Sequence, residues 1–218
     1  MQCIAILNEK GGVGKSTISI NIASYLSKQK KRVLLIDTDY LQGSASDWAT
    51  VRENINFPVV TVKPQLVKST VDNMSENYDY IIIDGKPGMG RSTGQVICAV
   101  DYVLIPIQPS PPDVWAVRTI VDVIGARRDI ARGSPLCSFV ISRANRTNDV
   151  LIKETKEALE EYFPPVLEGM TTQFKAYKNT FGEGVSIFED SSPEGKVAQK
   201  QIQSIVQEIQ EELDNENT

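Results

Sequence analysis

The chain contains no histidine. Imidazole acid–base catalysis and imidazole metal ligation are therefore excluded, and any chemistry falls to lysine, carboxylates, hydroxyls, backbone amides or a bound metal ion. Cysteine is scarce: Cys3, Cys98 and Cys137 are odd in number and form no CxxC pair, which excludes a disulfide scaffold and fits reduced thiols in a cytoplasm. No apolar run approaches the ~20 residues that cross a bilayer. The opening MQCIAILNEK has no basic stretch ahead of its apolar segment and no small-residue cleavage site, so no signal peptide is expected. Aromatic residues make up only 7%, yet 41% hydrophobic content over 218 residues is enough to build one well-cored domain, expected to span 1–218.

Net basic charge is also missing. The sum is −5, from 23 basic and 28 acidic residues. The segment 208–218 carries Glu208, Glu211, Glu212, Asp214 and Glu216 with no lysine or arginine, so it holds the whole excess and reads as an acidic tail. A strongly basic nucleic-acid-binding domain is excluded, whereas a local basic surface on the neutral remainder is not.

Short β-rich runs alternate with amphipathic stretches. Residues 3–7 (CIAIL) are continuously apolar, as in a strand covered on both faces, and 33–36, 59–62, 80–83, 102–107 and 138–141 follow. Between them, 15–28 places Ile18, Ile22, Tyr25 and Leu26 on one helical face, and further helices are expected at about 114–132 and 149–162. A last helix, about 194–213, carries Ala198, Ile202, Ile205, Val206, Ile209 and Leu213 on one stripe. Its polar face is rich in Gln and Glu rather than Lys and Arg, so it is expected to pack on a sheet and not on a membrane. Strands alternating with helices predict a single-domain α/β fold, a mostly parallel twisted sheet flanked by helices on both faces.

The first strand runs into Asn8-Glu9-Lys10-Gly11-Gly12-Val13-Gly14-Lys15-Ser16-Thr17 and then a helix. Glycines let successive N–H groups curl inward into an anion nest, and the helix start adds its positive end. Lys15 then reaches β- and γ-phosphates, Ser16 offers a hydroxyl to Mg²⁺ and Thr17 reaches the α-phosphate. The ordinary phosphate loop would need glycine where Glu9 stands. A second lysine, Lys10, precedes the glycine pair, and two lysines are hard to satisfy on one set of phosphates. Lys10 either points out toward the nucleotide of a second subunit or is a solvated surface lysine.

Two further strands end in acids. Val33-Leu34-Leu35-Ile36-Asp37-Thr38-Asp39 puts Asp37 and Asp39 on one side of an extended chain, where they either organise Mg²⁺ and an attacking water or simply end the strand in solvent. Tyr80-Ile81-Ile82-Ile83-Asp84 ends in an acid that can hold Mg²⁺ through a water.

The segment from Lys10 to Thr17 resembles the deviant Walker A motif of the ParA/MinD family of ATPases. Asp37 to Gly43 is similar to that family's first switch, with Tyr40-Leu41 in place of its usual proline. Asp84-Gly85-Lys86-Pro87-Gly88 resembles a Walker B strand with the glycine-rich second switch of the small ParF-type partition proteins, and the proline segment at 105–113 and Gly184 to Glu189 are similar to theirs. The resemblance implies a P-loop ATPase fold with ATP/ADP and Mg²⁺ as cofactors. It implies nucleotide binding by Gly11, Gly12, Val13, Gly14, Lys15, Ser16 and Thr17. It places Lys10, Lys15 and Asp39 in catalysis, Ser16, Asp37 and Asp84 at the metal, and Arg143, in Ser142-Arg143-Ala144-Asn145, beside the base.

The resemblance further implies a ParA-type ATPase that partitions plasmid or similar DNA cargo. Such a protein forms an ATP homodimer, binds nonspecific DNA and hydrolyses ATP when a centromere-binding ParB/ParG-like partner stimulates it; it is cytoplasmic, nucleoid-associated and not membrane-bound. Without a segment ahead of the first strand, no separate DNA-binding domain is expected. Candidate DNA contacts are Arg127, Arg128 and Arg132, and Lys175 and Lys178 around Phe174 and Tyr177. The alternatives are a MinD-like membrane-cycling positioning ATPase, which the acidic tail disfavours, and a metabolic P-loop ligase or kinase, which Lys10 disfavours. An iron–sulfur reductase would need thiolates, and Cys98 and Cys137 sit in or beside apolar runs that read as core.

Overall fold

The structure, a computed structural model, describes residues 1–40, 43–51, 55–88, 90–145 and 149–216. Leu41 and Gln42 of the first switch, and Asn217 and Thr218 of the tail, lie outside the described residues. Seven strands form one sheet in the order β3-β2-β4-β1-β5-β6-β7, and all the pairings are parallel. The strands are β1 (Gln2–Ile6), β2 (Val33–Asp37), β3 (Val59–Thr61), β4 (Tyr80–Asp84), β5 (Tyr102–Ile107), β6 (Leu136–Ala144) and β7 (Val166–Thr172).

Alternation along each strand divides the core in two. Ile4 and Ile6 face a cluster built with α1 (Lys15–Lys28), α2 (Ser44–Thr50), α7 (Lys175–Gly182) and α8 (Pro193–Glu216). Cys3, Ala5 and Leu7 face the opposite cluster, with α3 (Val67–Met74), α4 (Arg91–Ile97), α5 (Pro111–Ile130) and α6 (Asp149–Leu159). The expected doubly covered parallel sheet is therefore present. The strand at β7 and the helices α2, α3, α4 and α7 are additions to the sequence expectation. These helices have only seven or eight residues, too few to display a clear period. β7 carries Gly169 where a Cβ would meet Ile205 of α8 at 3.0 Å, so close packing against a helix displaces the alternation that marks a strand.

The last helix packs on the sheet as its stripe requires, with Ala198, Ile202, Ile205, Val206, Ile209 and Leu213 buried. The acidic segment 208–216 continues that helix rather than forming a loose tail. Glu208 accepts the N–H groups of Glu168 and Gly169 at 2.7 Å each, which satisfies donors on the edge strand. Glu212 accepts from Tyr102 Oη and Ser138 Oγ, both at 2.8 Å. Among the described residues no helix is long and apolar enough to cross a membrane.

β1 sits between β4 and β5, and its loop turns to the α1 face while the loops after β4 and β5 turn to the other. Neighbouring connections that leave on opposite faces open a crevice at the carboxyl edge of the sheet.

Candidate functional site

That crevice is a cavity of about 960 Å³, large enough for a nucleotide. Its floor is Gly12, Gly14, Lys15, Ser16 and Thr17; Asp39, Ser44, Asp84, Gly85 and Pro87 close one side, and Arg143 with the β7–α7 segment closes the other.

The phosphate loop takes its shape from local sequence. Gly12 and Gly14 hold φ of 77° and 93°, in the left-handed region that a side chain resists. Between them Val13 is fully buried and pins the loop to the core, with its carbonyl accepting Ser142 Oγ at 2.8 Å. α1 begins immediately afterwards with no acid in its first turn, so its positive end is not neutralised by the chain itself.

The two lysines of the loop part company. Lys15 is buried, and its Nζ donates to the Lys10 carbonyl at 2.8 Å across the mouth of the nest. Burial holds its ammonium below the usual lysine range, against the pull of Asp84 and Asp39. Lys10 turns the other way: its half-exposed side chain reaches Asp113 Oδ2 at 2.8 Å, on the first turn of α5. Asp113 is only 2% exposed, Ser110 Oγ also donates to its Oδ2, and its Oδ1 has no partner among the described residues. The end of β5 and the residue after it hold the phosphate loop at two more points, Asn8 Nδ2 donating to the Pro106 carbonyl (2.7 Å) and Gln108 Nε2 to the Gly12 carbonyl (3.0 Å).

The acids divide as well. β2 and β4 are in register, so Asp37 and Asp84 end adjacent strands side by side. Asp84 is buried, and its carboxyl accepts Ser19 Oγ at 3.3 Å and is hydrogen-bonded by Ser16. Burial raises it to about 7, and the Asp37 carboxylate adds to the rise while Ser16, Lys15 and Ser19 oppose it. Asp37, expected near the metal, spends both oxygens on the chain. Oδ1 accepts the Asp39 N–H at 2.9 Å, and Oδ2 accepts the N–H groups of Ala45 (3.0 Å) and Ser46 (2.9 Å) and Ser46 Oγ (3.1 Å). It builds the first switch and the start of α2. Asp39 itself is half-buried and lines the cavity. Thr38 ties the two switches together, its Oγ1 donating to the Asp84 carbonyl (2.8 Å) and accepting the Lys86 N–H (3.0 Å). Gly85 is required here, since a Cβ would lie 2.6 Å from the Ile6 carbonyl.

Ser16 and Asp84 make a donor set that fits Mg²⁺: one hydroxyl and one acid at the rim of an anion nest, leaving most positions to water and phosphate. Among the described residues no group of three or more acids or thiols is placed to hold a metal ion by itself.

The titration of Asp84 gives a first expected result. Its folded-state value of about 7 exceeds the ordinary 3.8, so between roughly pH 4 and 7 the folded chain holds a proton that the unfolded chain has lost. Stability without nucleotide or metal should therefore fall as pH rises through that window, by at most about 4 kcal/mol from this group. Urea unfolding of the wild type and Asp84→Asn at about pH 5 and about pH 8 checks it: the variant should gain on the wild type as pH rises, and a constant difference would refute it.

Arg143 lies over the loop, its Nη1 donating to the Gly12 carbonyl and its aliphatic stem against Gly14. Of the basic clusters, Arg128 is engaged within the chain, donating to the Pro135 carbonyl at 2.8 Å and lying 5.4 Å over the Phe163 ring, while Arg132 is exposed. Phe174, Lys175, Tyr177 and Lys178 stand on the cavity wall, with Thr171, Gln173 and Phe181. Sequence reasoning missed Asp113, Ser110 and Thr38. The one available signal was the Ser-Pro-Pro-Asp start of a helix, an N-cap pattern that reads as local structure.

The profile of the CobQ/CobB/MinD/ParA nucleotide-binding domain matches residues 4–215. The maintenance of carboxysome distribution protein A of Halothiobacillus neapolitanus is 29% identical over 210 residues, covering 94% of this chain and 95% of that protein. Two solved structures share the fold. McdA of Cyanothece, as a variant in complex with ATP, has a TM-score of 0.75 at 17% identity, covering 94% of this chain and 96% of that one. The cell division ATPase MinD of Pyrococcus furiosus has a TM-score of 0.76 at 17% identity, covering 94% and 98%.

Proposed function

This chain belongs to the CobQ/CobB/MinD/ParA family of nucleotide-binding proteins, and on that premise we propose that it is a ParA-type ATPase that positions cargo by cycling between monomer and ATP dimer. The observation that carries the proposal is the division of labour between the two lysines. Lys15 faces into the nest and serves the chain's own nucleotide, whereas Lys10 is half-exposed and faces away, held by one buried acid, Asp113.

ATP occupies the cavity with its phosphates on the loop and the positive end of α1, near Lys15 and Thr17. Arg143 closes over the loop on the base side. Ser16 and Asp84 would hold Mg²⁺, which would supply charge neutralisation of the phosphates. Two copies then close over their cavities. Lys10 leaves Asp113 and meets the partner's nucleotide, where its charge counts most as phosphoryl transfer develops. Asp39 orients the attacking water, and Asp37 keeps Asp39 in place through the switch loop. After hydrolysis Lys10 loses the γ-phosphate and returns to Asp113, and the dimer opens.

The cargo is plasmid or similar DNA, carried by a ParB/ParG-like partner that stimulates hydrolysis, while the ATP dimer rests on nonspecific DNA of the nucleoid in the cytoplasm. The carboxysome relative, matched along 95% of its length, supports a second cargo class, a protein body. A pull-down with candidate adaptor proteins, read by stimulation of ATP turnover, separates the two.

Asp39→Ala tests the cycle itself. The variant should bind ATP, dimerise by sedimentation and release phosphate at least about 100-fold more slowly, because positioning of the water is lost while the phosphate contacts remain. Wild-type turnover in Asp39→Ala would remove Asp39 from the mechanism.

A further inference from the structure

Among the described residues three that are not glycine hold a φ in the left-handed region, and all three are basic: Lys30 (61°), Arg132 (55°) and Arg143 (54°). Arg143 lies on the phosphate loop. Lys30 stands at the other end of the molecule, in the turn between α1 and β2. There the Lys30 N–H donates to the Ser27 carbonyl at 2.9 Å and the Lys31 N–H to the Leu26 carbonyl at 3.2 Å. Such a pair of bonds closes a helix through one left-handed residue, a position that favours glycine. A lysine there keeps its charge at a conformational cost. The helix end does not require that charge, since Lys28 already stands in the last turn of α1.

The turn is exposed, basic and fixed in place. Lys28, Lys30, Lys31 and Arg32 are all exposed. Arg32 is committed to Asp79: its N–H donates to Oδ2 at 2.8 Å, and its Nη2 pairs with Oδ1 at 2.7 Å. Its carbonyl accepts the N–H groups of Asp79 (2.8 Å) and Tyr80 (3.1 Å). These bonds fasten the turn to the start of β4 and offset the charge of Asp79. Lys28 Nζ reaches only a carbonyl, that of Phe188 at 3.3 Å. Among the described residues Lys30 and Lys31 have no ion pair. The turn precedes β2 and so lies at the amino edge of the sheet, whereas the nucleotide cavity lies at the carboxyl edge. Two copies that close over their cavities leave this turn uncovered. Lys175 and Lys178, by contrast, stand on the cavity wall.

We propose that the α1–β2 turn, through Lys30 and Lys31, is a contact for the phosphate backbone of duplex DNA. This rests on the DNA-binding reading above and deepens it by assigning the surface. Each ammonium takes its own phosphate, so no anion has to be shared between the two. A duplex presents a charge every ~1.7 Å of its axis, and a protruding turn can meet it without a pocket. The cations stand on a tight turn rather than along an amphipathic helix, which disfavours a lipid surface. A dimer carries two such turns and a monomer one, so ATP strengthens retention on long DNA by multivalency while the turn itself stays unchanged. A local contact of this kind also reconciles DNA binding with a net charge of −5.

The test is fluorescence anisotropy of a random-sequence duplex with the full chain and a non-hydrolysable ATP analogue, titrated between about 50 and 200 mM salt. Lys30→Gly should lower the slope of log affinity against log salt by about 1. Lys30→Gly with Lys31→Gln should lower it by about 2 and weaken binding about tenfold. Lys30→Arg should keep the wild-type slope, because the charge remains. Glycine suits the left-handed position, so the urea midpoint of Lys30→Gly should hold or rise. All variants should still dimerise with the analogue by sedimentation, since the turn lies away from the cavity. Unchanged affinity and slope in the double variant overturn the assignment and leave the DNA reading standing. A lower urea midpoint in Lys30→Gly with a wild-type slope overturns it too, and makes Lys30 a structural residue. Binding to anionic vesicles but not to duplex also overturns it. No duplex binding by the wild type in any nucleotide state overturns this inference together with the reading it rests on.

Discussion

Lys15→Ala is expected to lose at least about 100-fold in affinity for Mg-ATP and Mg-ADP. In the structure the Lys15 ammonium spans the nest and is buried, with its charge already disfavoured by burial. A cation held under such conditions gains most from an arriving polyphosphate, because charge-assisted hydrogen bonds replace the single carbonyl contact it has without ligand. Each such bond contributes about 1.5–3 kcal/mol, so losing the ones Lys15 makes removes more than the loop amides can supply alone. Lys15→Arg should not restore binding, since a planar guanidinium does not fit where a compact ammonium meets the Lys10 carbonyl. Calorimetry with each nucleotide checks this, alongside urea unfolding to show that the variant is folded. The fold should survive, because a buried charge is removed rather than introduced. Asp84, which loses a favourable neighbour, should then hold its proton even more firmly than at its present value of about 7. Unaltered nucleotide affinity would take away the basis for placing phosphates on this loop.

Lys10→Ala should separate binding from action. Lys15 is untouched, so calorimetry should still report ATP binding near the wild-type level. ATP-driven dimerisation should be lost at micromolar protein, and turnover should fall about 100-fold or more, the scale of removing a cation supplied to a phosphoryl-transfer transition state. Stability should change little. Asp113 is buried, but Lys10 is nearly half-exposed, so water can take over much of its role and the loss stays near 1 kcal/mol. Large functional loss with small stability loss is the signature of a residue that acts away from its resting contact. Velocity sedimentation with ATP and with ADP, together with phosphate release, reads both halves. Unchanged dimerisation and turnover would return Lys10 to the status of a surface lysine capping Asp113.

The same lysine marks where local sequence stops informing. Gly12, Gly14, Lys15, Ser16 and Thr17 were legible because a phosphate nest is made by consecutive residues, and the glycines that allow its φ angles are neighbours of the groups that use it. The resting place of Lys10 was not legible, because Asp113 is 103 residues away and reads in the sequence only as an N-terminal acid of a helix. Asp37 shows the same limit from the other side. Spacing put it beside Asp39, but only the folded switch shows both its oxygens occupied by backbone and Ser46 donors.

The sequence by itself determined the doubly covered parallel sheet, the phosphate loop and the acids at the ends of β2 and β4, because apolar runs, helical stripes and glycine spacing are properties of short segments. Tertiary structure alone decided which lysine faces inward, which acid meets Ser16 and Ser19 and which is spent on a helix start, and that Phe174, Lys175, Tyr177 and Lys178 wall the cavity. It also decided that Glu208 and Glu212 serve the sheet rather than a tail. Those assignments depend on hydrogen bonds and charge pairs between strands brought side by side from distant parts of the chain. The energies of such pairs depend on burial and partner geometry, and neither is encoded in the spacing of residues along one segment.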